Sequence, residues 1–216
     1  MLASQIDEAF YVFVTLIALV NPISTAAVFV TLTEGRSPQD QAKIAKRATI
    51  VAGVTLIAFA FVGEELLKAL GVEIGAFKIA GGLLLLKVAF NMVFADPPDH
   101  RQTASNAMAT MGPTSDPSVF PLAIPIITGP GALTASVALV NPSPSHQLLN
   151  GATFVIVALI VIAITYFVMR GSETLTKWFG QTGIDAVGRI VGIVVAAIAV
   201  QLVVNGVSSL TNLKIH

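Results

Sequence analysis

The chain of 216 residues contains no cysteine. Disulfide bonds, thiolate metal sites and cysteine nucleophiles are therefore excluded. Histidine is scarce as well, because His100, His146 and His216 are scattered along the sequence and cannot form a zinc or haem site by themselves. We therefore expect neither a metal nor any other cofactor.

Charge is also scarce, since only 11% of the residues are charged and lysine plus arginine exactly balance aspartate plus glutamate at 12 each. No basic run is longer than Lys46-Arg47, so the sequence lacks a basic patch with which to bind a nucleic-acid partner. In contrast, 55% of the residues are hydrophobic and the mean hydropathy is +0.83. This composition predicts an integral membrane protein embedded in the lipid bilayer.

Apolar segments predict an all-α membrane protein with six transmembrane helices. The segments are approximately 9–31, 48–62, 74–95, 116–140, 149–169 and 186–210. Ser37-Pro38 has the residues of a helix start ahead of the second span, and Glu64, Glu65 and Lys68 are interpreted as a polar turn after it. The polar segment 96–116 is predicted to be a cytoplasmic linker between a first three-span repeat, 1–95, and a second one, 117–216.

Two of these spans carry helix-breaking residues in their middle. The first contains Asn21-Pro22 inside an apolar run, and the fourth contains three prolines and two glycines between residues 120 and 134. Proline removes a backbone donor that lipid cannot replace, so helices one and four are predicted to be discontinuous. Interrupted spans at corresponding positions of two halves are typical of a transporter's binding site.

Matched positions indicate that the two halves are repeats. Pro22 and Pro130 are 108 residues apart, and Lys78-Ile79-Ala80-Gly81 resembles Arg189-Ile190-Val191-Gly192 at a distance of 111. Each half has an odd number of spans, so the second repeat is predicted to be inverted. Seven lysines and arginines lie on the side of the long connections, against Lys68 and Lys214 on the other, which predicts that both termini face outside.

The candidate substrate-binding residues flank the two breaks. Helix N-termini there would present backbone N–H groups to a carboxylate. The residues are Asn21, Pro22, Ser24, Thr25, Thr128, Gly129, Pro130, Gly131 and Ala132. Lys87, inside span three, either snorkels or takes part in coupling. Gln201 and Asn205 are interpreted as interhelical hydrogen-bonding residues, and Gly188 with Gly192 as a packing face.

These features together resemble the MarC family, which includes the SnatA neutral amino acid transporters of bacterial and archaeal inner membranes. The resemblance rests on four stretches and covers essentially the whole chain. They are Asn21-Pro22, Lys78-Ile79-Ala80-Gly81-Gly82, Pro121-Leu122-Ala123-Ile124-Pro125 with Gly129-Pro130-Gly131, and Gly183-Ile184-Asp185-Ala186 leading to Arg189, Gln201 and Asn205-Gly206. Lys87 departs from it, since an apolar residue is expected there.

The resemblance implies a secondary transporter of small neutral amino acids such as glycine and alanine, with protons as the expected coupling ion. A passive channel, or an efflux protein linked to antibiotic resistance, is the alternative. An enzyme is not expected, because no Asp, Glu or His falls inside a predicted span to serve as acid or base. Assembly into a homo-oligomer is left open.

Overall fold

The computed structural model describes residues 2–94, 116–140 and 147–211, with only the backbone given for 2–5, 147–150, 173, 175–182, 184 and 185. Within these ranges the chain is helical. The helices are α1 (Leu2–Val20), α2 (Pro22–Leu32), α3 (Pro38–Ala69), α4 (Ile74–Phe94), α5 (Ser118–Ile127), α6 (Pro130–Val140), α7 (Gln147–Arg170) and α8 (Ser172–Thr211).

Five stretches of the described chain are long and apolar enough to cross a membrane: Ile6–Leu32, Pro38–Ala69, Ile74–Phe94, Gly151–Arg170 and Ala186–Thr211. The pair α5 and α6, bent by 60° at its break, makes a sixth if it is counted as one span. The protein is therefore a multi-pass α-helical membrane protein. The predicted discontinuities in helices one and four are both present.

Helix α3 begins as its sequence predicts but ends later. Ser37 is its N-cap and accepts a hydrogen bond from the Asp40 N–H at 3.2 Å, with Pro38 at the first helical position. The predicted polar turn at Glu64, Glu65 and Lys68 is wrong, because these residues are helical. Helical spacing places Lys68 Nζ 3.0 Å from Glu64 and 3.1 Å from Glu65, so the charges stabilise the helix instead of ending it.

Close helix packing at glycines joins α4 to α8. A Cβ on Gly206 would lie 2.7 Å from the Gly75 carbonyl oxygen, and one on Gly82 would lie 2.8 Å from the Ala199 carbonyl oxygen. Gly192 likewise lies against Met92, as its predicted packing role requires, whereas no described atom of another helix lies within 4 Å of the same point on Gly188. Small residues allow the two backbones to approach closely along most of their length.

Helices that the predicted repeat would make equivalent contact each other. Helix α4 packs mainly on α8, α3 packs on α7 as well as on α5 and α6, and the broken spans α1–α2 and α5–α6 contact one another. The inverted repeat that would produce this pairing stays a prediction. So do the repeat boundaries, because the predicted linker lies outside the described residues except for Asp116.

Polar contacts show which helix ends share a side of the bundle. Arg47 of α3 forms an ion pair with Asp116, just before α5, and the Arg170 guanidinium at the end of α7 lies 3.5 Å from the Pro38 carbonyl oxygen. These groups mark one end, the predicted cytoplasmic one. Glu8 of α1 and Lys78 of α4 line a common cavity at the other end. The absolute orientation stays a prediction.

Candidate functional site at the helix breaks

The first break is formed by Asn21, whose backbone is left-handed at φ 44° and ψ 73°. A residue before proline is disfavoured in the right-handed helical region, and asparagine tolerates the left-handed one. Its side-chain oxygen accepts from the Ser24 N–H at 3.3 Å, and its amide nitrogen donates to Ser24 Oγ at 2.7 Å. The Thr25 hydroxyl donates to the Val20 carbonyl at 3.0 Å, so it bridges the break.

The second break is longer and more irregular. Phe120 and Ile124, each before a proline, have extended backbones inside α5, with φ −123° and −128°. The Thr128 N–H and hydroxyl both donate to the Ala123 carbonyl at 2.9 Å, so Thr128 caps the C-terminal end of α5. Gly129 then precedes α6 and has no side chain with which to cap it. The first N–H groups of α6, those of Gly131 and Ala132, have no acceptor within their own helix.

Both breaks meet one stripe of α4. Asn21 Nδ2 lies 3.9 Å from Met92 Sδ, and a Cβ on Gly131 would lie 2.5 Å from Leu85 Cδ1. Leu85 and Met92 are seven residues apart, so they lie on one helix face about 10 Å from each other along the axis. The α6 terminus contacts Leu85 and the α2 terminus contacts Met92, and the two helices run apart from there. The positive end of α6 therefore lies beside the middle of α4, and that of α2 lies about 10 Å from it along the helix, near Phe94 where α4 ends.

The prolines also free carbonyl groups near this point. Pro22 has no N–H, so the Ala18 carbonyl of α1 loses the donor that a continuous helix would supply. Ala18 is buried and belongs to the same hydrophobic cluster as Leu85 and Ala89 of α4. Carbonyl oxygens with partial negative charge and N–H groups with partial positive charge thus border the same stretch of α4.

A second feature is a cavity of about 620 Å³ between α1, α4, α6 and α8, with both apolar and polar lining residues. It is not lined by the residues of either break. Its charged and polar lining residues are Glu8, Tyr11, Thr15, Lys78, Gln201, Asn205, Ser208 and Ser209. Ala135 and Ala138, on the helix that starts at the second break, form part of its wall.

Similarity to known proteins extends over nearly the whole sequence. The profile of the MarC family of integral membrane proteins matches residues 6–211. The chain belongs to the MarC family. Several relatives of this MarC protein match nearly its full length. No solved structure matches it.

The relatives come from archaea and bacteria. UPF0056 membrane protein MJ1677 of Methanocaldococcus jannaschii is 33% identical, over 90% of this chain and 93% of its own. UPF0056 membrane protein YvbG of Bacillus subtilis is 29% identical, over 93% and 94%. UPF0056 membrane protein YhcE of Escherichia coli is also 29% identical, over 93% and 92%. Their names identify membrane proteins and give no substrate.

The predicted site residues of this MarC protein fall into two groups. Those at the breaks come together around one hydrophobic cluster that includes Val20, Ile127 and Ala132. Of the predicted residues, Asn21, Pro22, Thr25, Thr128, Gly131 and Ala132 are buried, Ser24 and Gly129 are partly buried, and Pro130 is exposed. Lys87 is not brought to them, because it is exposed and lies two residues from Leu85, on another face of α4.

Sequence reasoning missed the cavity and misassigned two of its residues. Gln201 Nε2 donates to Asn205 Oδ1 at 2.8 Å, so this bond runs along α8 and is not interhelical as predicted. Both side chains line the cavity together with Glu8 and Lys78. The available signal was the recurrence of polar residues on one face of an otherwise apolar helix.

Proposed function

We propose that this MarC protein is a secondary transporter of small neutral amino acids such as glycine and alanine in the inner membrane, with both termini outside. The observation that carries the proposal is that two half-helix N-termini contact one stripe of α4, at Leu85 and at Met92, about 10 Å apart along that helix. Such termini bind carboxylates in a membrane because their N–H groups and dipoles are fixed in place. The α6 terminus, which has a glycine at the cap position, is the better candidate of the two.

The ammonium group of the substrate would lie toward the freed carbonyls, such as that of Ala18. Small residues restrict the side chain that can be accommodated. Gly131 and Ala132 are buried, and Gly131 already lies against Leu85. A substrate with a bulky side chain would have to displace this packing, so the proposed site favours glycine and alanine.

The test is uptake of radiolabelled glycine into proteoliposomes containing the purified protein. We expect saturable uptake, competition by alanine but not by bulky drugs, and accelerated exchange when the vesicles are preloaded with alanine. An imposed pH gradient should drive accumulation if protons are the coupling ion. Flux that neither saturates nor exchanges would indicate the passive channel, and competition by drugs would indicate the efflux protein.

Gly131→Ala tests the location of the site. The added methyl group would meet Leu85 beside the α6 terminus and disturb the contact between the carboxylate and the backbone N–H groups. Loss of one such hydrogen bond should raise the glycine concentration at half-maximal uptake about tenfold. Gly188→Ala is the matched control, since among the described residues no atom of another helix lies within 4 Å of its added atom. An unchanged uptake curve for a correctly folded Gly131→Ala protein would place the carboxylate elsewhere.

A further inference from the structure

The cavity between α1, α4, α6 and α8 has a chemistry of its own, apart from the helix breaks. We propose that it is a second binding site, for small molecules that carry both a carboxylate and an ammonium group, with Lys78 binding the carboxylate and Glu8 the ammonium. The inference rests on the proposed function only in the choice of glycine as the probe.

The charges of the cavity wall carry the inference. Lys78 is partly buried within a membrane-spanning helix, and within the described part of the chain it forms no ion pair at 4.0 Å or less. An intramembrane lysine requires a partner or water. The opposite charge that acts on Lys78 comes from Glu64, but the Glu64 carboxylate forms an ion pair with Lys68 at 3.0 Å. Lys78 is therefore available to an anion that enters the cavity.

Glu8 makes the cavity unsuitable for a simple anion. It is the other charged residue of the wall, and it comes from α1, whereas Lys78 comes from α4. One positive and one negative group give the wall no net charge. A ligand with only a carboxylate would be repelled by Glu8, and one with only an ammonium group would be repelled by Lys78. A zwitterion satisfies both residues.

The remaining wall suits a small polar ligand. In the bond from Gln201 to Asn205, the Gln201 side-chain carbonyl oxygen and the Asn205 amide N–H groups are not used, so they can bind a ligand. The volume of about 620 Å³ lies within the range of about 300 to 1,000 Å³ that is usual for ligand sites. Thr15 and Ala135, both buried, also line the cavity, so it reaches into the bundle.

The position of the cavity relates it to the breaks. Ala135 and Ala138 lie on α6, four and seven residues after Gly131, which opens the same helix at the second break. A ligand in the cavity would therefore lie on the side of α6 that leads from the bundle end to the centre.

The test uses the absence of cysteine from the chain. Ala138→Cys places one thiol on the cavity wall, and Leu70→Cys places one at an exposed turn outside it. In detergent without lipid, saturating glycine should slow modification of Ala138→Cys by a water-soluble methanethiosulfonate reagent about tenfold. Leu70→Cys should be unaffected. Acetate and methylamine, which each carry one of the two charges, should protect far less than glycine.

Charge variants identify the contacts. In the Ala138→Cys background, Lys78→Met and Glu8→Gln should each raise the half-protecting glycine concentration about tenfold or more, since each removes one charge-assisted hydrogen bond. Lys46→Met and Glu65→Gln, exposed residues outside the cavity, are the matched controls. If Lys78→Met does not fold, the comparison of glycine with acetate and methylamine in the parent protein decides instead.

Three outcomes would overturn the proposal. They are absence of protection by glycine, equal protection by acetate, and protection in vesicles by phosphatidylethanolamine headgroups instead of glycine. Transport without protection would refute this site and leave the proposed function standing. Protection without transport would support the site and refute the proposed function.

Discussion

At the scale of single residues, two buried threonines donate hydrogen bonds five residues back beside the helix breaks. The Thr25 hydroxyl donates to the Val20 carbonyl across the first break, and the Thr128 hydroxyl donates to the Ala123 carbonyl at the end of α5. In a regular helix a threonine donates four residues back, as Thr165 does to Val161 at 2.8 Å. At Thr25 the longer reach lets the side chain replace a backbone donor that the break has displaced, whereas the Ala123 carbonyl keeps the Thr128 N–H as a donor.

Thr25→Val should therefore destabilise the protein more than the same change at Thr165. The Ser24 N–H donates to the Asn21 side chain, so the Val20 carbonyl depends on the Thr25 hydroxyl. Val20 and Thr25 are each 1% exposed. Loss of a donor to a buried carbonyl costs about 1 to 3 kcal/mol. The Val161 carbonyl keeps the backbone N–H of its regular helix.

Thermal unfolding in detergent checks this expectation. The melting temperature of Thr25→Val should fall by several degrees, and that of Thr165→Val should stay close to the parent value. Equal melting temperatures would mean that the Thr25 hydroxyl does not stabilise the break.

At the scale of the elements, the sequence predicts the features that local backbone rules determine. Asn21-Pro22 and Ser37-Pro38 mark a break and a helix start because proline restricts its own residue and the one before it. The sequence does not predict contacts that depend on neighbouring helices. Glu64 and Glu65 could equally belong to a turn or a helix, and the inclusion of Glu8 in the cavity depends on how α1 packs against α6 and α8.

The glycines of the α4–α8 contact give a prediction at this scale. Gly206→Ala should destabilise the pair by about 1 to 3 kcal/mol, the usual cost of overpacking, because the added atom would lie 2.7 Å from the Gly75 carbonyl oxygen. A backbone atom cannot move aside as a side chain can. Gly188→Ala, on the same helix and with no neighbouring helix within 4 Å in the part of the chain that the structure describes, should leave stability unchanged.

Unfolding in detergent and the monodispersity of the purified protein measure both variants side by side. A Gly206→Ala protein as stable as Gly188→Ala would show that the two helices do not pack as closely as described.

At the scale of the whole molecule, the predicted inverted repeat accounts for Lys87. Lys78 and Arg189 define an offset of 111 residues, and the same offset relates Lys87 to Ile198 and Asn91 to Leu202. Ile198 and Leu202 both line the cavity between α1, α4, α6 and α8, whereas Lys87 and Asn91 are exposed. In an inverted repeat, a cavity at one end has a counterpart at the other in the alternate state. Lys87, Asn91 and Arg189 would then line that counterpart.

Cysteine substitution at the matched pair Ile198 and Lys87 tests this arrangement in sealed vesicles. We expect Ile198→Cys to react with an impermeant thiol reagent from the outside and Lys87→Cys to react from the cytoplasmic side. Substrate that favours the alternate state should slow the first reaction and speed the second, because one cavity closes as the other opens. Lys46→Cys, exposed on α3, should react at one rate throughout. If both rates change in the same direction, or if Lys87→Cys reacts only from outside, the two halves do not work as inverted equivalents, and Lys87 is a surface lysine that snorkels.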